Sequence, residues 1–412
     1  MMDAKPQVVI VGGGFAGLAA ARALAHAPVE VTVVDSRNHH LFQPLLYQVA
    51  TAALSPADIA SPIRQVLHRQ ENTRVLLDEA TGVDDSGRRL LLRRDALPFD
   101  YLVVATGATH SYFGHEDWAR FAPGLKTLDD ALEIRRRMLF AFEQAEREDD
   151  KEAIRQWLTF VIIGGGPTGV EMAGAMAEVA RHTLAHDFRH IDPRLSRVIL
   201  LEAADEVLGN YPDPLPEKAK AQLEALGVHV WPGHAVTAVD DTGVSVGKDR
   251  IAARTVVWGA GVKASPLGAM LGAPVDKHGR VKVQPDLSVP GHPHVYVVGD
   301  LAAVEQDGRP VPGIAPAAIQ MGRHAAGNIE RAVRGQATRP FRYNDKGTLA
   351  TIGRSRAVGV VYGLRLSGFV AWMAWLLVHI FFLIGFRNRF IVLFTWAWAY
   401  LTWQRGARLI LG

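Results

Sequence analysis

The run Val8-Val9-Ile10-Val11-Gly12-Gly13-Gly14-Phe15-Ala16-Gly17-Leu18, with its echo Val161-Ile162-Ile163-Gly164-Gly165-Gly166-Pro167-Thr168-Gly169-Val170, decides the fold of this chain. Each copy carries an apolar strand into Gly-x-Gly-x-x-Gly and on into a helix of small residues. The first glycine allows a tight turn, the second lets a pyrophosphate approach the backbone, and the third lets helix pack closely on strand. Beyond it, the helix N-terminus offers unpaired N–H groups and the positive end of the peptide dipoles. One such turn is a weak signal. Two of them predict two dinucleotides on one chain, and with them an α/β fold containing two Rossmann-like domains.

Each turn is followed by a strand that ends in an acid. Val29-Glu30-Val31-Thr32-Val33-Val34 leads to Asp35, 18 residues after Gly17, where the motif wants a carboxylate for ribose hydroxyls; the bland alternative is an ordinary strand-end aspartate. Arg197-Val198-Ile199-Leu200-Leu201 leads to Glu202, 33 residues after Gly169 and later than usual. The excess, residues 181–190, reads as an extension of the preceding helix, so the topology survives. An acid at this point favours the free 2′-hydroxyl of NAD(H) over the 2′-phosphate of NADP(H). A third landmark is His294-Val295-Tyr296-Val297-Val298-Gly299-Asp300. Its aspartate can reach the ribityl hydroxyls or pyrophosphate of FAD from the far side, or else closes a plain turn. Residues 314–327 then open a helix whose N-terminus points back toward the flavin, where negative charge develops on reduction.

The chain has 412 residues, which suits two or three domains. It has no cysteine, which excludes disulfides, thiolate zinc sites, cysteine-ligated iron–sulfur clusters and any thiol relay. His182, His186 and His190 fall at four-residue intervals on the expected helix extension. That spacing can align metal ligands, but with no acids on the same face a solvated helix is preferred, and no metal is expected. His39 and His40 either touch the cofactor or are solvated loop residues. Residues 128–157 read as a charged helical connector with a solvated face. The N-terminus has no charged–apolar–small export pattern.

The charge is unevenly divided. The net +3 of the whole chain contains +8 from residues 346–412, which have no Asp or Glu, leaving −5 for the first 345. Within that tail, residues 366–386 form a run of 21 with no ionised group, and residues 390–403 form a second of 14 beyond Arg387 and Arg389. Five of the nine tryptophans lie there: Trp372, Trp375, Trp396, Trp398 and Trp403. Tryptophan favours the headgroup boundary, and a basic apolar tail suits an anionic membrane surface better than a nucleic acid. The longer run could span a bilayer, or both could lie as helices in one leaflet; a buried core or dimer helix is the third reading.

Taken together, these residues resemble the type II NADH dehydrogenases, single-subunit NADH:quinone oxidoreductases that do not pump protons. The markers are the two glycine turns, Phe42-Gln43-Pro44-Leu45-Leu46-Tyr47-Gln48-Val49-Ala50, Trp258-Gly259-Ala260-Gly261-Val262-Lys263-Ala264-Ser265-Pro266, Val298-Gly299-Asp300-Leu301-Ala302 and the aromatic–basic C-terminus. In flavin-dependent disulfide reductases the region around residues 39–54 carries two redox cysteines. Here it has none, so electrons must leave the flavin another way.

The resemblance implies a flavoprotein with FAD held non-covalently by residues 1–130 and 266–345, a connector over 131–156, NADH on 157–265 as substrate, and a membrane-binding tail over 346–412. The FAD contacts it implies are Gly12, Gly13, Gly14, Phe15, Ala16 and Gly17, with Asp35 and Ser36. Thr106, Gly107, Asp300, Ala317 and Ala318 complete them. For NADH they are Gly164, Gly166, Thr168 and Gly169, with Glu202 and Gly261. Glu171 is the expected catalytic acid at the nicotinamide–flavin contact; a first-turn carboxylate stabilised by the helix dipole is the plain alternative. Gln320 and Tyr47 are the expected quinone contacts, although Pro316 stands where several members carry a second glutamine. Homodimers on the cytoplasmic face of the inner membrane are implied as well, with tail helices lying in one leaflet. Two other functions are weighed against this one: a reductase serving a small carrier protein such as ferredoxin, and a tethered dinucleotide sensor without turnover.

Overall fold

The first glycine turn leaves a six-stranded sheet. The computed structural model describes residues 5–84 and 86–410, and contacts divide the chain into two compact units. The first contains residues up to 41, 60–109 and 262–345. Its sheet runs in the order Ser288–Val289, His292–Val297, Tyr101–Val104, Gln7–Val11, Glu30–Asp35, Thr73–Leu77, and only the Ser288–Val289 edge is antiparallel. Val8, Ile10, Val33, Leu102 and Val103 have no exposed surface, as strands buried on both faces require; hence the unbroken apolar runs in the sequence. The helix Phe15–Ala23 packs on the helix Ala315–Val333 so closely that a Cβ at Gly322 would lie 2.1 Å from the Ala16 carbonyl oxygen.

The second unit contains residues 42–59, 110–261 and the C-terminal segment from 346. Its four-stranded parallel sheet runs Val228–Trp231, Arg197–Leu201, Thr159–Ile163, Thr255–Trp258. An antiparallel sheet of Gly347–Gly353, Arg356–Val361 and Leu364–Ser367 belongs to the same unit. It packs on the helix Pro167–Glu178, where a Cβ at Gly174 would lie 1.7 Å from the Ile352 carbonyl oxygen. Residues 128–157 form two helices. Leu128–Arg147 starts from a Thr127–Asp130 capping box and ends where Glu148 turns extended; Lys151–Trp157 starts from Asp150, which accepts from the Ala153 N–H. Ile134, Met138, Phe142 and Ala145 of the first are buried, so its charged face is solvated while the opposite face belongs to the core.

One local expectation changes. The helix after the second turn does not extend to residue 190: a π-helical turn, Val179–Thr183, ends it. The Glu146 carboxylate then takes the N–H groups of Arg189, His190 and Ile191, leaving those residues no helical ladder to join. His182, His186 and His190 therefore share no helix face. His182 instead stacks on Trp403 with ring centroids 4.0 Å apart. The tail forms Gly368–Phe382 and Phe386–Thr402. They are separated at Gly385, φ +91°, where Arg389 donates to the carbonyls of Leu383 and Phe381 and so caps the first helix. Their 15 and 17 residues correspond to about 22 and 25 Å, against a hydrocarbon core of about 30 Å. Among the described residues no helix is long and apolar enough to cross a membrane.

Candidate functional site

The two glycine turns are near copies in three dimensions. In the first unit, Gly12 has φ +102°, and a Cβ there would lie 2.4 Å from the Ala105 carbonyl oxygen. In the second, Gly164 has φ +106°, and its Cβ would lie 2.6 Å from the Ala260 nitrogen. Gly17 and Gly169 each sit so that a Cβ would be 1.8 Å from the carbonyl oxygen of Gly12 or Gly164 respectively. Gly14 and Gly166 face open space and begin helices with no side-chain cap, leaving N–H groups for an anion. The acids behave alike. Asp35 accepts from the Gly13 N–H at 2.5 Å and the Arg37 N–H at 2.7 Å. Glu202 accepts from the Gly165 N–H, and from the Ala204 N–H at 2.7 Å. Each carboxylate thus stands at the tip of the strand next to its turn, whatever the sequence spacing.

Around the first turn the strand ends gather Thr106, Gly107 and Asp300. Gly107, at φ +68°, faces open space, and Asp300 packs against Gly313. Ser36 is exposed beside Asp35, while Phe15 and Ala16 open the helix after the turn. Ala317 and Ala318 are buried in the first turn of their own helix, which has neither a side-chain cap nor an acid there. Thr106 Oγ1 and His40 Nε2 are among the buried polar atoms that have no partner within the described residues. His40 Nδ1 lies 3.0 Å from the Gly13 carbonyl oxygen, so Nδ1 carries the hydrogen and Nε2 is a bare acceptor. Burial keeps this imidazole neutral, with a pKa lowered to about 4. The cradle thus has room, exposed N–H groups and unsatisfied polar atoms, which fits a phosphate-bearing nucleotide.

Around the second turn Thr168 is half-buried in the first helical turn, and Gly261 has φ +72° with the exposed Phe113 ring over its Cα. Two residues beyond Gly169 the chemistry changes. Glu171 borders a cavity of about 120 Å³ within this unit, walled by Tyr47, Gln48, Glu178 and Arg405 and by tail aromatics including Trp375 and Trp396. Glu171 keeps part of its surface, but desolvation of the carboxyl pushes its pKa up to about 8, against a hydrogen bond from the Thr351 backbone. At neutral pH it holds a proton. Tyr47, also buried, is held neutral by desolvation, and once Glu171 ionises at higher pH its charge pushes the phenol further up.

Nothing in the sequence signals the polar floor. Arg405 donates to the Thr51 carbonyl oxygen at 2.9 Å and to Glu178 Oε2 at 3.1 Å, with both side chains only 10% exposed. Glu178 Oε1 accepts from the Arg354 N–H, and the Arg354 guanidinium lies over the rings of Tyr400 and Trp403. Removing one partner of such a pair strands a buried charge. Arg405→Ala is accordingly expected to destabilise the protein by about 3–5 kcal/mol, with part of the loss recovered in Arg405→Ala/Glu178→Gln; denaturant unfolding of the two variants measures both. Gln320 is placed differently from Tyr47. It belongs to the first unit, and its amide donates to the Asn344 carbonyl at 3.0 Å while accepting from the Asn344 N–H at 2.9 Å.

Residues 6–322 match the family described as pyridine nucleotide-disulphide oxidoreductase. The chain is 47% identical over 419 residues to the type II NADH:quinone oxidoreductase Ndh of Mycobacterium tuberculosis, covering 98% of this chain and 89% of the relative. It is also 47% identical over 424 residues to the same organism's type II NADH:quinone oxidoreductase NdhA, with the same coverage. Among solved structures, NDH2 from Plasmodium falciparum in complex with NADH is similar with a TM-score of 0.87, covering 99% of this chain and 100% of that one. At 19% identity that likeness is one of fold.

Proposed function

Because this chain belongs to the pyridine nucleotide-disulphide oxidoreductase family, and within it to the type II NADH:quinone oxidoreductases, it passes electrons from NADH through FAD to a quinone, and we propose where on the molecule each part of that reaction is served. The carrier-protein and sensor alternatives are set aside by those relatives, named as quinone-reducing enzymes at 47% identity.

FAD is held by the first turn, with the N–H groups around Gly14 on the pyrophosphate and Asp35 on ribose hydroxyls. Thr106, Gly107, Asp300 and the helix start at Ala317 and Ala318 complete the cradle. The orphaned Thr106 and His40 atoms support this assignment, since a flavin nucleotide brings donors and acceptors to both. Bound FAD supplies the chemistry of taking up hydride and giving up electrons; the chain supplies position and electrostatics. NADH is held at Gly164, Gly166, Thr168, Gly169 and Gly261, with Glu202 on the adenosine ribose. A 2′-phosphate there would meet the Glu202 carboxylate as a like charge. The expected kcat/KM for NADH exceeds that for NADPH by about 10²-fold, and Glu202→Gln narrows the ratio in a steady-state assay.

The observation that carries the acceptor site is the cavity of the second unit. It joins aromatic walls from the basic tail to a carboxyl that keeps its proton at neutral pH. A planar, apolar quinone with two carbonyl oxygens suits such walls. Ala399→Trp, which adds bulk at a cavity-lining position, is expected to raise the quinone KM at least tenfold while leaving flavin reduction by NADH unchanged; an unchanged KM overturns the assignment. For Gln320 to reach a quinone, its amide must first release Asn344.

The tail is assigned to a membrane surface. Phe381, Phe386, Phe390 and Leu401 expose 65–86% of their surface beside Arg387, an arrangement for helices lying in one leaflet on the cytoplasmic face. Co-sedimentation with anionic vesicles, lost when Phe386 and Phe390 become aspartate, tests it. A homodimer belongs to the same reading and is measured by light scattering in detergent.

A further inference from the structure

Two hydrogen bonds run from the C-terminal helix to the tyrosine of the cavity. Trp396 Nε1 donates to Gln48 Oε1 at 2.7 Å, and Gln48 Nε2 donates to the Tyr47 hydroxyl oxygen at 2.8 Å. The direction of both bonds follows from chemistry. An indole N–H can only donate, so Gln48 must turn its oxygen to Trp396 and its NH₂ to Tyr47. The Tyr47 oxygen is thereby an acceptor, and its hydroxyl hydrogen must point elsewhere. Among the described residues no hydrogen-bond acceptor is found for it. Gln48 and Tyr47 are each 7% exposed, so water does not readily replace either bond. All three side chains line the same cavity.

We infer that Trp396 is a positioning residue that, through Gln48, turns the Tyr47 hydroxyl hydrogen toward a carbonyl oxygen of the quinone. This rests on the reading that the quinone is reduced in this cavity. Tyr47 donates a hydrogen bond and keeps its proton; burial disfavours the phenolate. The C-terminal helix that we assign to the lipid surface therefore also orients the acceptor. Without the indole N–H, the Gln48 amide is free to rotate by half a turn and take the Tyr47 hydrogen on its own oxygen.

The test is Trp396→Phe in the flavin-loaded full chain, which removes the N–H and keeps an aromatic ring against Trp375, whose centroid lies 5.3 Å away. Flavin reduction by NADH and flavin reoxidation by a short-chain quinone are followed separately by anaerobic stopped flow. Reduction is expected at the wild-type rate and reoxidation about five- to tenfold slower, the size of one lost hydrogen bond to a carbonyl. Tyr47→Phe should slow reoxidation similarly, and Trp396→Phe/Tyr47→Phe should be no slower than Tyr47→Phe alone. Wild-type reoxidation in Trp396→Phe overturns the inference, as do effects of the two substitutions that multiply. If Trp396→Phe does not accumulate as holoenzyme, Gln48→Leu cuts the same chain at its middle and carries the same expectations. Ala399→Trp separates the two levels. Unimpaired quinone reduction in that variant removes the cavity assignment and the inference with it. Blocked reduction there, with Trp396→Phe unaffected, removes the inference alone.

Discussion

Glu171→Gln is expected to lower NADH:quinone turnover by about 10²-fold while making the protein more stable above pH 8. Both effects come from one carboxyl. Desolvation raises its pKa from 4.5 to about 8, which keeps a transferable proton on it at neutral pH, where a general acid is most effective. Glutamine keeps the size and loses the proton. The stability effect has the opposite sign. In the unfolded chain the carboxyl ionises near 4.5, whereas in the folded chain it holds its proton to about 8. Unfolding therefore releases a proton in that window, and the stability contributed by this group, full below pH 4.5, is lost as pH rises through 8. The neutral amide escapes that loss. Thermal melts of the two proteins at acid and alkaline pH, with their kcat profiles, measure both effects; wild-type turnover in the variant removes Glu171 from catalysis, and its flavin spectrum should be unchanged in either case.

The second large effect separates the two turns. At both Gly17 and Gly169 a Cβ would sit 1.8 Å from a main-chain carbonyl oxygen, a contact that no rotamer change relieves, so either alanine must push the helix off its strand and spoil the anion cradle at its N-terminus. Gly17→Ala is expected to purify colourless, because its cradle is the one we assign to FAD. Gly169→Ala should remain yellow and be bleached by dithionite but not by NADH at ordinary concentrations. The opposite pattern, a yellow Gly17→Ala and a colourless Gly169→Ala, would reverse the assignment of the two nucleotides. Absorbance spectra of the purified variants before and after each reductant are sufficient.

Much of this was legible because it is local. A glycine that must adopt positive φ, or that lets one backbone rest on another, leaves its mark at fixed spacing, and an acid at a strand tip follows the turn it serves. Glu202 kept that place even though the segment before it did not form the expected helix. Residues 181–190 fail as a helix for a reason that lies elsewhere in the chain: Glu146, some 43 residues earlier, claims the backbone N–H groups at 189–191. The four-residue histidine spacing there defines a shared face only on a continuous helix, and the helix ends at Thr183. Arg389 likewise counts in the sequence as one charge of the basic tail, yet its guanidinium closes the helix before it.

The sequence by itself determined the two nucleotide turns, the acid beside each, the absence of a thiol relay and the basic, tryptophan-rich tail. All of these depend on short-range sterics, on composition or on charge. Only the tertiary structure decided what the tail does inside its unit. Arg405 finds Glu178 across 227 positions, and Trp396 finds Gln48 across 348. No spacing rule spans such separations, because the partners meet only once the sheet, its glycine-packed helix and the two tail helices are in place. Burial then does the rest: it raises Glu171, keeps Tyr47 protonated and makes each buried polar atom depend on its partner.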